Sequence, residues 1–218
     1  MRARKVPAAA FRNGLLLLAC LLLVHACSKT EKGPYATLPF SDDFERSELG
    51  RYWYGDPGWR IKDGQVFSEG TANRPLWLRA RLPREVVVEF DARSDSTRGD
   101  IKFEIFGDGK HHASGYILIF GGWKNTISTI ARLDEHGEDR VELRQAGLVK
   151  SGKTYRFRLV RRDKVLKWYI DGKLFLDYYD SEPLHGPGHD RFAFNDWQSP
   201  LYFDNLSIRP LEPSAKNQ

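Results

Sequence analysis

Lys164-Val165-Leu166-Lys167-Trp168-Tyr169-Ile170-Asp171-Gly172-Lys173-Leu174-Phe175-Leu176-Asp177-Tyr178-Tyr179 is two strand-like runs joined by an Asp-Gly pair. A type I′ hairpin turn needs positive φ at both central positions, which Asp and Gly tolerate and bulky residues do not. The pair therefore predicts an antiparallel hairpin. Similar turn signals stand at Lys62-Asp63-Gly64-Gln65, Gly107-Asp108-Gly109 and Glu135-His136-Gly137-Glu138. Between turns, apolar and polar residues alternate. Val86, Val88 and Phe90 point one way and Val87, Glu89 and Asp91 the other; Ile101, Phe103 and Ile105, and then Tyr155, Phe157 and Leu159, repeat the pattern. That is the period of a strand and not of a helix.

Candidate strands fall near 40–44, 51–54, 58–62, 65–68, 76–81, 85–93, 101–106, 115–121, 126–132, 139–144, 153–162, 164–170, 173–179, 191–195 and 201–209. Some are expected to merge, leaving about twelve or thirteen, and no helical stripe exceeds about two turns. Many short strands in one core-sized chain predict an all-β fold, a two-sheet antiparallel β-sandwich.

Lys and Arg number 34 against 29 Asp and Glu. Arg2, Arg4, Lys5 and Arg12 lie in residues 1–26, which hold no acid, so the remainder carries 30 bases against 29 acids. A near-neutral body has no electrostatic footprint for a phosphate backbone, and no nucleic-acid partner is expected. The basic start, the apolar run Leu15 to Val24 and the small Ala26 read as a signal peptide over 1–26. The run is too short to span a bilayer. Val24-His25-Ala26-Cys27 resembles a bacterial lipobox, which implies lipidation at Cys27. Leu17-Leu18-Ala19-Cys20 also fits, but would leave Leu21 to Val24 exposed beside the lipid. Plain cleavage after Ala26 is the other reading. Residues 27–39, broken by Gly33, Pro34 and Pro39, are expected to be a flexible tether, 40–210 the sandwich and 211–218 a tail. Contact with a membrane would come through the lipid only. The absence of an Asp after Cys27 favours the outer membrane, as in the sorting pattern that enteric lipoproteins resemble. Both cysteines lie in residues 1–27, so the body has neither disulfide nor thiolate chemistry.

Trp59-Arg60-Ile61-Lys62-Asp63-Gly64-Gln65-Val66, Tyr169-Ile170-Asp171-Gly172-Lys173 and Tyr202-Phe203-Asp204-Asn205-Leu206-Ser207-Ile208 resemble the punctuation of the concanavalin A-like lectin/glucanase superfamily. Within it, the chain is similar to laminin-G-like and 3-keto-disaccharide hydrolase-type domains. The resemblance covers about residues 40–210 and implies a jelly roll. It also leaves room for calcium, with Asp177, Asp180, Asp190, Asp196 and Asp204 as the acids at hand. The chain lacks the Asn-Ser-Gly strand start of the hydrolase type.

Retaining glucanases of that superfamily carry E-x-D-x-E or E-x-D-x-x-E on one strand, because alternate residues share a face. Glu89-Phe90-Asp91 begins the pattern, but Arg93 and Ser94 stand where a second Glu is needed. No catalytic residue is assigned; Glu89, Asp91 and Glu104 are the acids that a glycoside-cleaving alternative would use. The stronger signal is aromatic. The chain has 13 Phe, 9 Tyr and 6 Trp, and all six Trp lie beyond the leader. Trp77 and Trp168 sit within apolar alternation and read as core. Trp53, Trp59, Trp123 and Trp197 sit among turn-forming and polar residues. Gly121-Gly122-Trp123-Lys124-Asn125 and Asn195-Asp196-Trp197-Gln198-Ser199 each join a flat ring to amides or carboxylates, which suits a pyranose. Trp59, Trp123, Asn125, Asn195, Asp196 and Trp197 are therefore the expected ligand-binding residues, with a carbohydrate as partner. A structural envelope module that recognises protein is the third reading. His185 and His189 are four apart, but a Gly-Pro loop lacks the helical geometry that would bring them together, and no metal site or cofactor is assigned.

Overall fold

The computed structural model describes residues 33–212. The expected signal peptide, Cys27 and the last six residues lie outside that range. The described chain forms fifteen strands: β1 (Phe40–Asp42), β2 (Trp53–Gly55), β3 (Arg60–Lys62), β4 (Gln65–Ser68), β5 (Leu76–Leu78), β6 (Val86–Ser94), β7 (Ile101–Gly107), β8 (Tyr116–Gly121), β9 (Ile127–Arg132), β10 (Val141–Arg144), β11 (Thr154–Arg162), β12 (Val165–Ile170), β13 (Lys173–Tyr179), β14 (Arg191–Asn195) and β15 (Leu201–Pro210). None of the fifteen merges with a neighbour. They make two antiparallel sheets, one ordered β13-β12-β11-β6-β15-β4-β3 with β1 also on β15, the other ordered β10-β9-β8-β7-β14-β5-β2. This is a jelly-roll β-sandwich.

Local sequence explains the connections. Asp171 and Gly172 adopt φ of 50° and 78°, and Asp63 and Gly64 adopt 53° and 72°, so both Asp-Gly pairs turn with two positive φ values. Along β6, Val86, Val88, Phe90, Ala92 and Ser94 are buried while Glu89, Asp91 and Arg93 are half-buried on the outer face. The core is aromatic. The Phe90 ring meets Phe103 at 5.0 Å, Phe157 at 5.3 Å and Phe194 at 5.3 Å, joining both sheets.

The folded body begins inside the segment expected to be tether. Ala36 is buried, its N–H donates to Arg79 O at 2.7 Å, and an Arg191 nitrogen donates to the Tyr35 hydroxyl at 2.8 Å. Loop contacts with the body outweigh the flexibility that Gly and Pro confer there. At the other end, Leu211 N–H donates to Glu85 O.

Ser68, Ser94 and Leu201 lie at one level, because Leu201 pairs with both. The loops 69–75, 95–100 and 196–200 therefore share a pole. Pro210 pairs with Val86, and Ala36 bridges Ala80, at the opposite pole. The central part of the outer face of the seven-stranded sheet is covered. Lys102, Glu104, Ile117, Ile119, Ala131 and Asn195 all point outward yet are buried, beneath loops 108–114 and 133–140.

Candidate functional site

A cleft of about 410 Å³ opens on this sheet near the loop pole. It lies in the range of small-molecule sites. Trp123 and Trp197 line it, with Arg98, Asp100, Lys124 and Gln198 between and around them, and with Lys102 and Glu135 at its floor. Trp197 is 43 % exposed, one of few large apolar side chains so open. Trp123 is half-buried; it meets the His136 ring edge-on at 5.6 Å, and the Arg140 guanidinium lies 5.2 Å from its centroid.

The two Trp-bearing loops are held by buried polar groups. Asn125 donates to Thr97 O at 3.2 Å and Val149 O at 2.8 Å, and accepts from Val149 N–H at 3.0 Å. This fastens a turn in which Gly121, Trp123, Lys124 and Asn125 have φ of 67°, 49°, 62° and 63°. Three non-Gly residues in succession with left-handed φ store strain that must be compensated, and such strain gathers at functional sites. Asp196 accepts from Ser68 Oγ at 2.5 Å, from Gly70 N–H at 2.6 Å and from Ser199 N–H at 3.1 Å. Trp197 O in turn accepts from Ala72 N–H. Burial pushes the Asp196 carboxyl up despite these bonds.

The expected ligand residues thus separate. Trp123 and Trp197 share the cleft. Asn125, Asn195 and Asp196 are buried, with side-chain hydrogen bonds spent on the protein, and stand behind the cleft as struts. Trp59 is 3 % exposed, packs in the main core and donates Nε1–H to Arg74 O at 2.9 Å. Turn-forming neighbours marked it as a loop residue, yet the ring fits beneath its loop against Phe203. Trp53 is likewise core, stacked on Phe194.

Nor does the cleft contain the three acids named for hydrolysis. Glu89 and Asp91 lie on the outer face of the other sheet, near Arg158 and Arg156. Glu104 is fully buried, accepting from Asn195 Nδ2 at 2.6 Å, Ala113 N–H at 3.0 Å and His112 Nδ1 at 2.7 Å. Among the described residues, no three His, Cys, Asp or Glu side chains come together as a metal site. Of the acids considered for calcium, Asp180 is bound to Tyr116 and Arg132, and Asp190 to Arg191.

A chain of ionic contacts runs from Glu104 to the cleft floor. His112 lies 3.6 Å from Glu135, and Lys102 Nζ donates to Glu135 at 2.9 Å and to Asn73 Oδ1 at 2.9 Å. Burial opposes charge on His112, but the carboxylates of Glu104 and Glu135 raise it to about 9. Burial also opposes charge on Glu135, but His112 and Lys102 pull it down to about 2. Asp100 differs. Its carboxylate has no hydrogen-bond partner among the described residues, and burial, only partly offset by Lys102, pushes it up to about 6. Sequence reading missed Asp100 and Arg98, which lie in a loop without a periodic signal, and quoted Gln198 beside Trp197 without placing it among the ligand-binding residues.

No protein-family profile matches the chain. Its sequence is 25 % identical over 148 residues, 68 % of the chain, to an extracellular exo-α-L-arabinofuranosidase of Streptomyces chartreusis, of which it spans 18 %. Solved structures of similar fold include the carbohydrate-binding module CBM66 from Bacillus subtilis, with TM-score 0.58, 19 % identity, and coverage of 72 % of this chain and 95 % of the module. A β-1,3-1,4-glucanase from a mouse hindgut metagenome gives TM-score 0.59 at 12 % identity, covering 79 % and 99 %. The Emp47p carbohydrate recognition domain gives 0.57 at 14 %, covering 80 % and 96 %. The fold is a concanavalin A-like sandwich.

Proposed function

We propose that this protein is a secreted, lipid-anchored module that binds a glycan in the cleft between Trp123 and Trp197. The carrying observation is that an open indole and a half-buried one line one cleft together with polar side chains that have no protein partner among the described residues, Asp100 and Gln198. A sugar ring presents a C–H face that stacks on an indole, and an equator of hydroxyls that needs donors and acceptors. The carbohydrate-binding names of several fold neighbours, and the sequence likeness to part of an arabinofuranosidase, support the same reading. Binding is favoured over hydrolysis because Glu135, the second carboxylate of the cleft, is engaged by Lys102 and His112, and Glu89, Asp91 and Glu104 lie outside the cleft. Trp197→Ala and Trp123→Ala should each weaken glycan binding at least ~10-fold, which is about 1.4 kcal/mol, with the circular dichroism spectrum unchanged. Titration that finds both variants binding like the parent would reject the cleft.

Anchoring belongs to the same proposal. The described chain begins at the pole opposite loops 95–100 and 196–200, and a lipid tether would join the body there. Cys27→Ser should abolish acylation and move the protein from the membrane fraction to the soluble one. Metabolic labelling with palmitate checks this; label retained by the variant would exclude Cys27 as the acylated residue.

A further inference from the structure

The cations of the cleft fall into two groups. Lys102 is satisfied by Glu135 and Asn73, and Arg140, beside Trp123, pairs with Glu142 and donates to Glu135 O. Arg98 and Lys124 are exposed and line the same cleft, and neither side chain makes a hydrogen bond or an ion pair among the described residues.

Their loops are fastened together. Asn125, next to Lys124, donates to Thr97 O, next to Arg98, and Asp100 N–H donates to Gly121 O at 2.8 Å. A Cβ at Gly99 would stand 2.5 Å from Gly121 O, so the two loops touch where only glycine fits. Lys124 is also held at φ 62°, a conformation that a lysine adopts only when its surroundings enforce it. Two like charges are thus built onto adjoining, mutually braced loops, and neither makes an ion pair with a carboxylate among the described residues. The Asp100 carboxylate stands in the same cleft, but Arg98 is the weakest of the charges that act on it, and the two make no ion pair.

Resting on the glycan-binding reading above, we infer that the cleft selects an acidic saccharide, whose anionic substituent, a carboxylate or a sulfate, sits at Arg98 and Lys124. An arginine fork suits either planar carboxylate or sulfate oxygens, and a lysine adds a mobile point charge. The indoles would hold the ring, and Arg98 with Lys124 would distinguish an acidic sugar from its neutral counterpart.

The test is a glycan array in which each neutral oligosaccharide is paired with its uronate and its sulfated form, followed by titration of the strongest hits against the parent, the double variant Arg98→Gln/Lys124→Gln and Trp197→Ala. The acidic member of a pair should bind at least ~10-fold tighter than the neutral one, with the advantage reduced by salt and lost in the double variant. Trp197→Ala should weaken both members. The uronate and sulfate arms tell which anion is taken. Equal or tighter binding of neutral glycans, or an acidic preference that survives the double variant, would overturn the inference while leaving the glycan reading intact. No binding to any glycan in any arm would remove the reading, and the inference with it.

Discussion

Lys102→Met is expected to lower the unfolding free energy by about 3–5 kcal/mol, the usual cost of breaking one side of a buried ion pair. The Lys102 side chain is only 3 % exposed, and its ammonium lies between Glu135 and Asn73. Methionine fills similar volume without the charge, so Glu135 would keep only the rings of His112 and His136, each at 3.6 Å, and loop 133–140 would lose one of the contacts that tie it to the sheet. The pH dependence should change in a defined direction. In the parent, Glu135 has a folded value of about 2, below its ordinary 4.5, so its contribution is complete above about pH 4.5 and is lost as pH falls toward 2. Without Lys102, Glu135 gains its proton at higher pH, and acid unfolding should begin earlier. Urea titrations at pH 7 and pH 4 measure both effects. A loss below about 1 kcal/mol would place the pair with exposed surface pairs, whose worth is that small.

Much of the fold is legible in sequence because its determinants are local. Asp63-Gly64 and Asp171-Gly172 specify their own turns through backbone freedom, and the alternation along β6 specifies which side chains enter the core. The roof over the seven-stranded sheet is different. Lys102 and Glu104 alternate with Ile101, Phe103 and Ile105 as a wet face would, yet loops 108–114 and 133–140, distant in sequence, cover them. One signal exists: Tyr116 to Phe120 is apolar without alternation, as expected of a strand buried on both faces. The same limit applies to the site. Polar neighbours correctly mark Trp123 and Trp197 as loop residues, but Asn125, Asn195 and Asp196 carry the same hydrogen-bonding groups whether they face a ligand or brace a loop. Only the three-dimensional partners decide, and here those partners are Val149, Glu104 and Ser68. Trp59 shows the converse, a ring in turn-rich sequence that the core takes up.

Phe90→Ala should cost about 3–5 kcal/mol, whereas Glu89→Ala, one residue away, should change stability by no more than about 0.5 kcal/mol. The contrast follows from the strand period. Phe90 is fully buried, and besides Phe103, Phe157 and Phe194 its ring meets Phe192 and Phe203, both at 6.0 Å. Phe103, Phe192 and Phe194 belong to the seven-stranded sheet and Phe157 and Phe203 to the eight-stranded one, so truncation opens a cavity at the seam between the layers. Neighbours locked in their own edge-to-face contacts have little freedom to collapse into it, which puts the cost toward the upper part of the range. Glu89 meets only Arg158 at 3.6 Å and Arg209 at 3.9 Å on an accessible face, where solvent screens the charges and the side chains keep their freedom. Denaturant midpoints with unchanged slopes provide the measurement. Similar losses for the two variants would contradict the assignment of faces along β6 and, with it, the packing of the sheet that carries the cleft against its partner.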